Sequence, residues 1–181
     1  MKKIVFMGTP LFAVPILKSI FQKGYEIPLV YTQPPSKSNR GYKLSKSPIQ
    51  IFCEENNLSI RTPENFNKIE DEKKVLEKIE ADMALVVAYG QILPESILNV
   101  CKKGFINIHA SLLPKLRGAA PIQRSIMNLD NETGISIMQI NGKLDQGKVY
   151  SQHKIKINKD DNAEDLSLKL SNLAAKKIVY D

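Results

Sequence analysis

The sequence predicts an α/β fold of three layers, in which a doubly wound and mostly parallel sheet lies between two layers of helices. Short apolar runs alternate with amphipathic stretches along the whole chain, and turn residues close most of these runs. No internal repeat and no linker interrupts the alternation. A length of 181 residues and a mean hydropathy of −0.23 are typical of one ordinary globular domain. We therefore expect a single domain over residues 1–181, with late strands that can run antiparallel.

The first third of the chain predicts a βαβ unit followed by a long loop. Residues 4–7 form an apolar run closed by Gly8-Thr9-Pro10, a helix extends to Gly24, and residues 27–32 form the second strand. Residues 33–48 predict a long turn-rich loop with four cations and no acid. A helix then opens at Pro48 and runs to residue 56, and residues 59–61 form a short edge strand.

The remainder of the chain continues the alternation of helices and strands. Residues 64–82 predict an amphipathic helix, and the almost purely apolar residues 83–88 predict the central strand. A short helix opens at Pro94, residues 105–109 form a strand, residues 110–120 form a loop and residues 121–128 form a helix. Residues 134–140 and 148–157 predict two strands joined by the segment N-G-K-L-D-Q-G, and residues 163–179 form a closing amphipathic helix.

Composition excludes several classes of protein. Two cysteines and two histidines provide neither a disulfide framework nor a zinc cluster, so a reducing cytoplasm is expected. No apolar run approaches the roughly 18 residues that a membrane helix needs, and Gly8 and Pro10 interrupt the N-terminal run too early for a signal peptide. The net charge of +7 favours an anionic partner, although much of it comes from lysine.

Three polar features lie where strands are predicted to end, which is where open α/β sheets bind ligands. Gly8-Thr9-Pro10 is not a G-x-G-x-x-G motif, so a dinucleotide site is disfavoured. Asn107 and His109 are two residues apart on one strand, so their side chains share a face. An amide and an imidazole placed in this way can act together on one carbonyl. We expect Asp145, in a loop at a comparable strand end, to orient the histidine; spacing alone leaves open a core histidine, a turn asparagine and a loop aspartate.

Longer segments resemble a known family. Residues 107–123 read N-I-H-A-S-L-L-P-K-L-R-G-A-A-P-I-Q, and residues 6–15 read F-M-G-T-P-L-F-A-V-P. Three more segments follow the same pattern in collinear order: Y-T-Q-P-P with N-R-G-Y-K-L-S-K-S-P-I (residues 31–49), V-V-A-Y-G-Q-I-L-P (residues 86–94) and T-G-I-S-I-M-Q-I (residues 133–140). Together they resemble the formyltransferases that use 10-formyltetrahydrofolate, and among these the methionyl-tRNA formyltransferases.

The resemblance implies a formyltransferase fold with Asn107, His109 and Asp145 as the catalytic set. It implies 10-formyltetrahydrofolate as the formyl donor, with no metal. It places the folate and its pterin ring against Tyr89, Gly90, Gln91, Ile92, Leu93, Ser111, Leu112, Leu113 and Pro114. Core packing remains the alternative for Leu112 and Leu113.

The implied acceptor is the amino group of initiator methionyl-tRNA, without any role for a membrane, and we expect a monomer. The basic loop of the family contacts RNA, which assigns that role to Lys37, Arg40, Lys43 and Lys46. A second tract, residues 96–129, holds five cations and no acid and supports an RNA partner.

The chain departs from the family pattern at three places. The loop before Asp145 reads I-N-G-K-L-D-Q-G where the family usually has M-D-x-G-L-D-T-G, and Asn39 replaces the first glycine of a G-R-G. The family also carries a β-barrel domain after the catalytic one, and this chain ends at Asp181. Two alternatives stay open: formyl transfer to a small amine (glycinamide ribonucleotide or an amino sugar), and a folate- or RNA-binding domain without turnover. Ala110 argues against the ribonucleotide, whose enzymes typically have proline there.

Overall fold

A sheet of seven strands forms the centre of the computed structural model, which describes residues 2–38, 43–66 and 70–179. The described strands are β1 (Ile4–Gly8), β2 (Val30–Tyr31), β3 (Ser36–Ser38), β4 (Lys43–Ser45), β5 (Ile60–Arg61), β6 (Met83–Val87), β7 (Phe105–His109), β8 (Glu132–Gln139) and β9 (Val149–Lys156). The order in the sheet is β5-β2-β1-β6-β7-β8-β9. The first five strands in that order are parallel, and β8 and β9 join by antiparallel pairing, as the sequence predicts.

Six described helices cover the sheet: α1 (Val14–Gln22), α2 (Pro48–Glu55), α3 (Glu70–Ile79), α4 (Glu95–Leu98), α5 (Pro121–Met127) and α6 (Ala163–Lys177). Their starts have local causes. The Ser47 hydroxyl accepts a hydrogen bond from the Gln50 backbone N–H at the start of α2. Asn162 and Asp165 form a reciprocal capping box at the start of α6. No helix in the described part of the chain is both long and apolar enough to cross a bilayer.

The alternation of side chains along each central strand builds two cores. Ile4 and Phe6 of β1 face the core beneath α1, α2 and α6, whereas Val5 and Met7 face the core beneath α3 and α4. Because both faces are covered, β1 is buried at every position. The observed architecture is therefore the three-layer doubly wound sheet that the apolar runs predict.

Gly8 ends β1 at a position where no side chain fits. A Cβ atom there would lie 2.8 Å from the Phe6 ring and 2.9 Å from the Ala13 Cβ. The 3₁₀ turn that starts α1 therefore packs directly against the end of the strand. This close approach sets the position of Thr9, whose hydroxyl donates a hydrogen bond to the Tyr89 carbonyl at 2.8 Å.

Three elements differ from the sequence prediction. Residues 33–48 are not one long loop, because β3 and β4 pair there as an antiparallel ribbon. The second strand is shorter than residues 27–32, because Pro28 has no N–H to donate and only Val30–Tyr31 enter the ladder. Of the helix predicted over residues 64–82, α3 (Glu70–Ile79) is observed, residues 80–82 are not helical, and residues 67–69 lie outside the described residues.

Burial of one face of α6 should make a large contribution to stability. Leu170 is fully buried against α1 and the sheet, whereas Leu168 on the same helix is 60% exposed. We expect Leu170→Ala to lower the free energy of unfolding by about 2–5 kcal/mol, because it removes buried methyl groups and leaves a cavity. Leu168→Ala, the matched control, should change it by less than about 0.5 kcal/mol. Urea denaturation followed by circular dichroism measures both, and equal effects would contradict the described packing of α6.

Candidate active site

Asn107 and His109 lie on the same face of β7, as their spacing predicts. They oppose Met138 and Ser136 of β8 in the antiparallel ladder. The face is the one that carries Phe105, on the side of the sheet covered by α3 and α4. His109 is buried, whereas Asn107 is partly accessible, and no hydrogen bond to the Asn107 side-chain amide is found within the described residues. The Asn107 amide is therefore available to a ligand.

The imidazole of His109 is fixed by the backbone. Its Nε2 atom lies 2.9 Å from the carbonyl oxygen of Leu116. A carbonyl can only accept, so Nε2 carries the proton and donates it to this bond. In the neutral ring, Nδ1 is then the nitrogen with a free lone pair.

Asp145 faces that second nitrogen. Its Oδ2 atom lies 3.6 Å from His109 Nδ1, and it accepts a hydrogen bond from the Gly118 backbone N–H at 2.7 Å. Both side chains are nearly buried, so water screens little of the attraction between a carboxylate and a protonated ring. Asp145 also has a φ of 47°, in the left-handed region that aspartate tolerates better than most residues.

The route by which Asp145 reaches His109 differs from the prediction. We expected its loop to follow a strand that ends at the same edge as β7, but β8 runs antiparallel to β7. Ile140 therefore lies beside Phe105, at the other end of β7. Four residues of strand, roughly 13 Å, separate that point from His109. Residues 141–147 turn back across the sheet face to cover this distance.

The backbone of a turn at residues 115–118 is hydrogen-bonded to three side chains of the site. The Ser111 hydroxyl donates to the Lys115 carbonyl at 2.6 Å, the next carbonyl, that of Leu116, accepts from His109, and the Gly118 N–H donates to Asp145. Leu116 and Gly118 both have φ values in the left-handed region, 55° and 82°. This conformation turns the backbone groups inward and leaves the intervening side chains outside.

Two polar residues of β8 and β9 that the sequence reasoning missed hold residues 111–113, which precede this turn. The Ser136 hydroxyl donates to the Ser111 carbonyl at 2.6 Å and accepts from the Leu113 N–H at 3.0 Å. The Gln152 amide donates to the Leu113 carbonyl at 2.8 Å. Both residues lie on predicted strands. The only sequence signal for their role is therefore the alternation of inward-facing and outward-facing positions along a strand.

The nine predicted folate contacts lie in a first loop, residues 89–93, and a second loop, residues 111–114, which differ in conformation and burial. In the second loop, Ser111 and Leu113 are buried, Leu112 is half-buried and Pro114 is exposed. In the first, Gly90 has a φ of 85° and reverses the chain between a buried Tyr89 and an Ile92 that is 81% exposed.

Tyr89 and Gln91 serve the packing of the first loop. The Tyr89 ring stacks edge-on against Phe66, and burial raises the pKa of its phenol. The Gln91 side chain accepts from the Phe66 N–H and donates to the Pro63 carbonyl. Leu93 packs against the core on the α4 side.

A cavity of about 310 Å³ opens beside α4, toward the amino end of β7, and is in the size range of small-molecule pockets. It is lined by Glu95, Leu98, Asn99, Gln139, Ile140, Asn141 and Gly142. It lies between α4 and the start of the segment that carries Asp145. None of the nine predicted folate contacts lines it, although Leu93 and Ile140 pack against the same core. A second cavity, of about 230 Å³, lies between Thr9, Gln33 and the N-terminus of α2.

The predicted RNA-contacting cations are described only in part. Lys46 is exposed and forms an ion pair with Glu54 of α2 at 2.7 Å, so an acid that lies outside the loop in sequence balances part of its charge. Lys37 lies in β3 and Lys43 lies in β4. Arg40 lies outside the described residues.

The titratable groups in the described part of the chain offer no grouped metal ligands. Among the residues that the structure describes, no three histidine, cysteine, aspartate or glutamate side chains come together. Cys53 and Cys101 are both free thiols in the core. Burial raises the pKa of Cys53 to about 12 and that of Cys101 to about 11, so neither acts as a thiolate near neutral pH.

Comparison with known proteins decides the family. The family model described as formyl transferase matches residues 1–180. The chain belongs to the formyl transferase family. The methionyl-tRNA formyltransferase of Pelagibacter ubique is 62% identical over 178 residues, which cover 98% of this chain and 57% of that protein. That of Mycoplasmopsis pulmonis is 44% identical over 177 residues, covering 98% of this chain and 60% of the relative. The chain thus spans about three fifths of the length of these curated relatives.

Solved structures show the same fold at low sequence identity. The phosphoribosylglycinamide formyltransferase of Anaplasma phagocytophilum superposes with a TM-score of 0.78 at 17% identity, covering 97% of this chain and 82% of that one. The enzyme of the same name from Bacillus halodurans gives 0.76 at 18% identity, with coverages of 97% and 90%. The fold of the chain is therefore the formyltransferase fold that the sequence resemblance implies.

The carboxylate of Asp145 should hold the 115–118 turn in place. We expect Asp145→Ala to accelerate hydrogen exchange at the Gly118 amide by about 10- to 100-fold, because a hydrogen bond to a charged acceptor contributes about 1.5–3 kcal/mol. Asn141→Ala is the matched control, since it removes a different bond of the same loop, the one that Lys143 N–H donates to Asn141. Unchanged exchange at Gly118 in Asp145→Ala would show that the carboxylate does not restrain the turn.

Proposed function

We propose that this chain is the catalytic domain of a cytoplasmic enzyme of translation initiation. In this proposal it transfers a formyl group from 10-formyltetrahydrofolate to the α-amino group of methionine esterified to initiator tRNA. The observation that carries the proposal is the arrangement of His109, whose Nε2 is held by a backbone carbonyl while Nδ1 faces Asp145 at 3.6 Å. The arrangement occurs in a chain 62% identical to a protein named methionyl-tRNA formyltransferase.

The reaction requires one proton transfer and stabilisation of one oxyanion. The amine nitrogen attacks the formyl carbon and forms a tetrahedral intermediate. The intermediate collapses as the bond from that carbon to N10 of the folate breaks. One proton leaves the attacking amine and one arrives at N10, so the products are the formylated amine and tetrahydrofolate.

His109 is suited to move that proton through Nδ1. Nε2 already donates to Leu116, so Nδ1 is the ring atom that accepts a proton from the amine and returns it to N10. The Asp145 carboxylate stabilises the positive ring that forms in between. Because the bond to Leu116 keeps a proton on Nε2, Nδ1 stays available as the acceptor.

Asn107 is suited to stabilise the oxyanion. Its amide projects from the same strand face as His109 and has no hydrogen-bond partner in the described part of the chain. A partly accessible, uncommitted N–H donor beside the proton carrier can meet the negative charge that develops on the formyl oxygen. The three residues of the predicted catalytic set thus have separate tasks.

The folate would lie between the two predicted loops and extend toward the 310 Å³ cavity. Residues 89–93 and 111–114 flank the carboxyl end of β7, and the cavity lies next to the same face. Its lining combines the apolar side chains of Leu98 and Ile140 with a larger polar part, the Glu95 carboxylate and the amides of Asn99, Gln139 and Asn141. A flat heteroaromatic ring can pack on the apolar side chains while the polar ones bind the heteroatoms of its edge. The proposal requires no metal.

The catalytic assignment predicts large losses of turnover. We expect His109→Ala and Asn107→Ala each to lower kcat for formyl transfer to methionyl-tRNA by at least about 10²-fold, with the fold intact by circular dichroism. His153→Ala is the matched control, since the chain has only two histidines and His153 lies on β9 at the far edge of the sheet. Glycinamide ribonucleotide is assayed as a rival acceptor. Near-normal transfer by His109→Ala, or a preference for the ribonucleotide, would refute the proposal.

The basic segment of residues 33–48 is predicted to serve RNA binding and not folate binding. We expect Arg40→Leu to weaken formylation of charged tRNA strongly while leaving the dissociation constant for tetrahydrofolate nearly unchanged, because a guanidinium fork holds phosphate or a base edge in two directions. The slope of log affinity against log salt should fall by about 0.7–0.9. Lys159→Leu removes one cation from the turn before α6 and serves as control. A parallel loss of folate affinity in Arg40→Leu would mean that the ribbon supports the pocket instead.

A further inference from the structure

The turn at residues 115–118 connects a charged surface to the proposed catalytic residues. Three peptide groups of this turn are hydrogen-bonded to Ser111, His109 and Asp145, at 2.6, 2.9 and 2.7 Å. The turn cannot shift without breaking a bond to the catalytic pair. The side chains of Lys115 and Arg117 therefore leave the backbone at points fixed relative to His109.

Both side chains point away from the core and keep their charge uncompensated. Lys115 and Arg117 are exposed, and neither forms an ion pair with any residue that the structure describes. No acid occurs between Glu95 and Asp130 in the sequence. The carboxylate that reaches the turn, that of Asp145, accepts from the Gly118 N–H and faces His109. Two free cations at the rim of a buried carboxylate–imidazole pair favour an anionic group of the substrate.

The second cationic tract, residues 96–129, has cations at both ends of β7. Lys102 and Lys103 precede β7, next to Asp82, and Lys102 pairs with Asp82 at 3.9 Å. Lys115 and Arg117 follow β7, at the edge where His109 lies. The tract is therefore not one surface, and only its later part can serve the site.

The chemistry of the proposed acceptor identifies the anionic group that would reach Lys115 and Arg117. In an aminoacyl-tRNA the α-amine is joined through its ester to the ribose of the last nucleotide, and the 5′-phosphate of that nucleotide is the first negative charge along the chain. An amine placed at His109 brings this phosphate to the rim of the site, since only the amino-acid ester and the ribose separate the two groups. Resting on the proposed function, we propose that Lys115 and Arg117 bind the phosphate of the nucleotide that carries the amino-acid ester.

Two short acceptors test this contact directly: the methionyl ester of adenosine, and the same ester with a 5′-phosphate. Wild-type chain should transfer formyl to the phosphorylated ester with the higher kcat/KM. Arg117→Gln should lower kcat/KM for the phosphorylated ester by about 10- to 100-fold and change it by less than about twofold for the phosphate-free ester. Arg117→Lys should restore part of the difference because it keeps the charge. Lys103→Gln, which removes a cation at the other edge, is the matched control.

Each other outcome contradicts the proposal. Equal losses with both esters would mean that Arg117 positions the catalytic pair rather than a phosphate, and no loss with either would mean that it contacts neither. A weaker dissociation constant for tetrahydrofolate in Arg117→Gln would assign the cation to the carboxylates of the folate.

A binding measurement separates this inference from the proposed function. If the wild-type chain transfers formyl to no acceptor, the proposed function fails. Adenosine 5′-phosphate should nevertheless shift the amide resonances of residues 115–118, and adenosine should not. Identical shifts with both, or none with either, would overturn the phosphate contact.

Discussion

The hydrogen bond from His109 Nε2 to the Leu116 carbonyl is the interaction on which the rest of the site depends. It fixes the tautomer of the only buried histidine among the described residues and turns Nδ1 toward Asp145. It also pins a loop that has no regular secondary structure of its own. The position of the His109 ring therefore depends both on β7 and on the loop that contains Leu116, and a shift of either would move the ring.

The antiparallel end of the sheet explains why such a unit is needed. In a fully parallel sheet, the loop after each strand would reach the carboxyl edge directly. Here β8 runs the other way, and the segment that carries Asp145 starts at the wrong end of β7. Its return leaves a cavity beside α4. The same reversal that brings in the carboxylate thus shapes the space where the folate is proposed to bind.

Local signals account for what the sequence predicted well. The apolar runs of β1 and β6, the Ser47-Pro48 start of α2 and the Asn162–Asp165 capping box are each set by residues within one or two turns of chain. The fold class follows from their alternation, and the pairing of Asn107 with His109 on one face follows from the period of a strand.

The remaining features depend on contacts between distant residues, which single-sequence patterns do not encode. Asp145 and His109 are separated by 36 residues, and their approach depends on the direction of β8. The ribbon in residues 33–48 has no alternation of apolar residues to reveal it. Tyr89 and Gln91 look like pocket residues in the motif, yet burial against Phe66 and bonds to Pro63 involve them in packing.

The most direct test of this account is the protonation pattern of the His109 ring. Long-range ¹H–¹⁵N correlation spectra, with His153 assigned by its alanine variant, distinguish the two nitrogens of each neutral imidazole. The account predicts that neutral His109 carries its proton on Nε2 alone, and that Asp145→Asn leaves this tautomer in place because Leu116 still accepts the bond. A proton on Nδ1, or an even mixture of the two tautomers, would contradict the central claim.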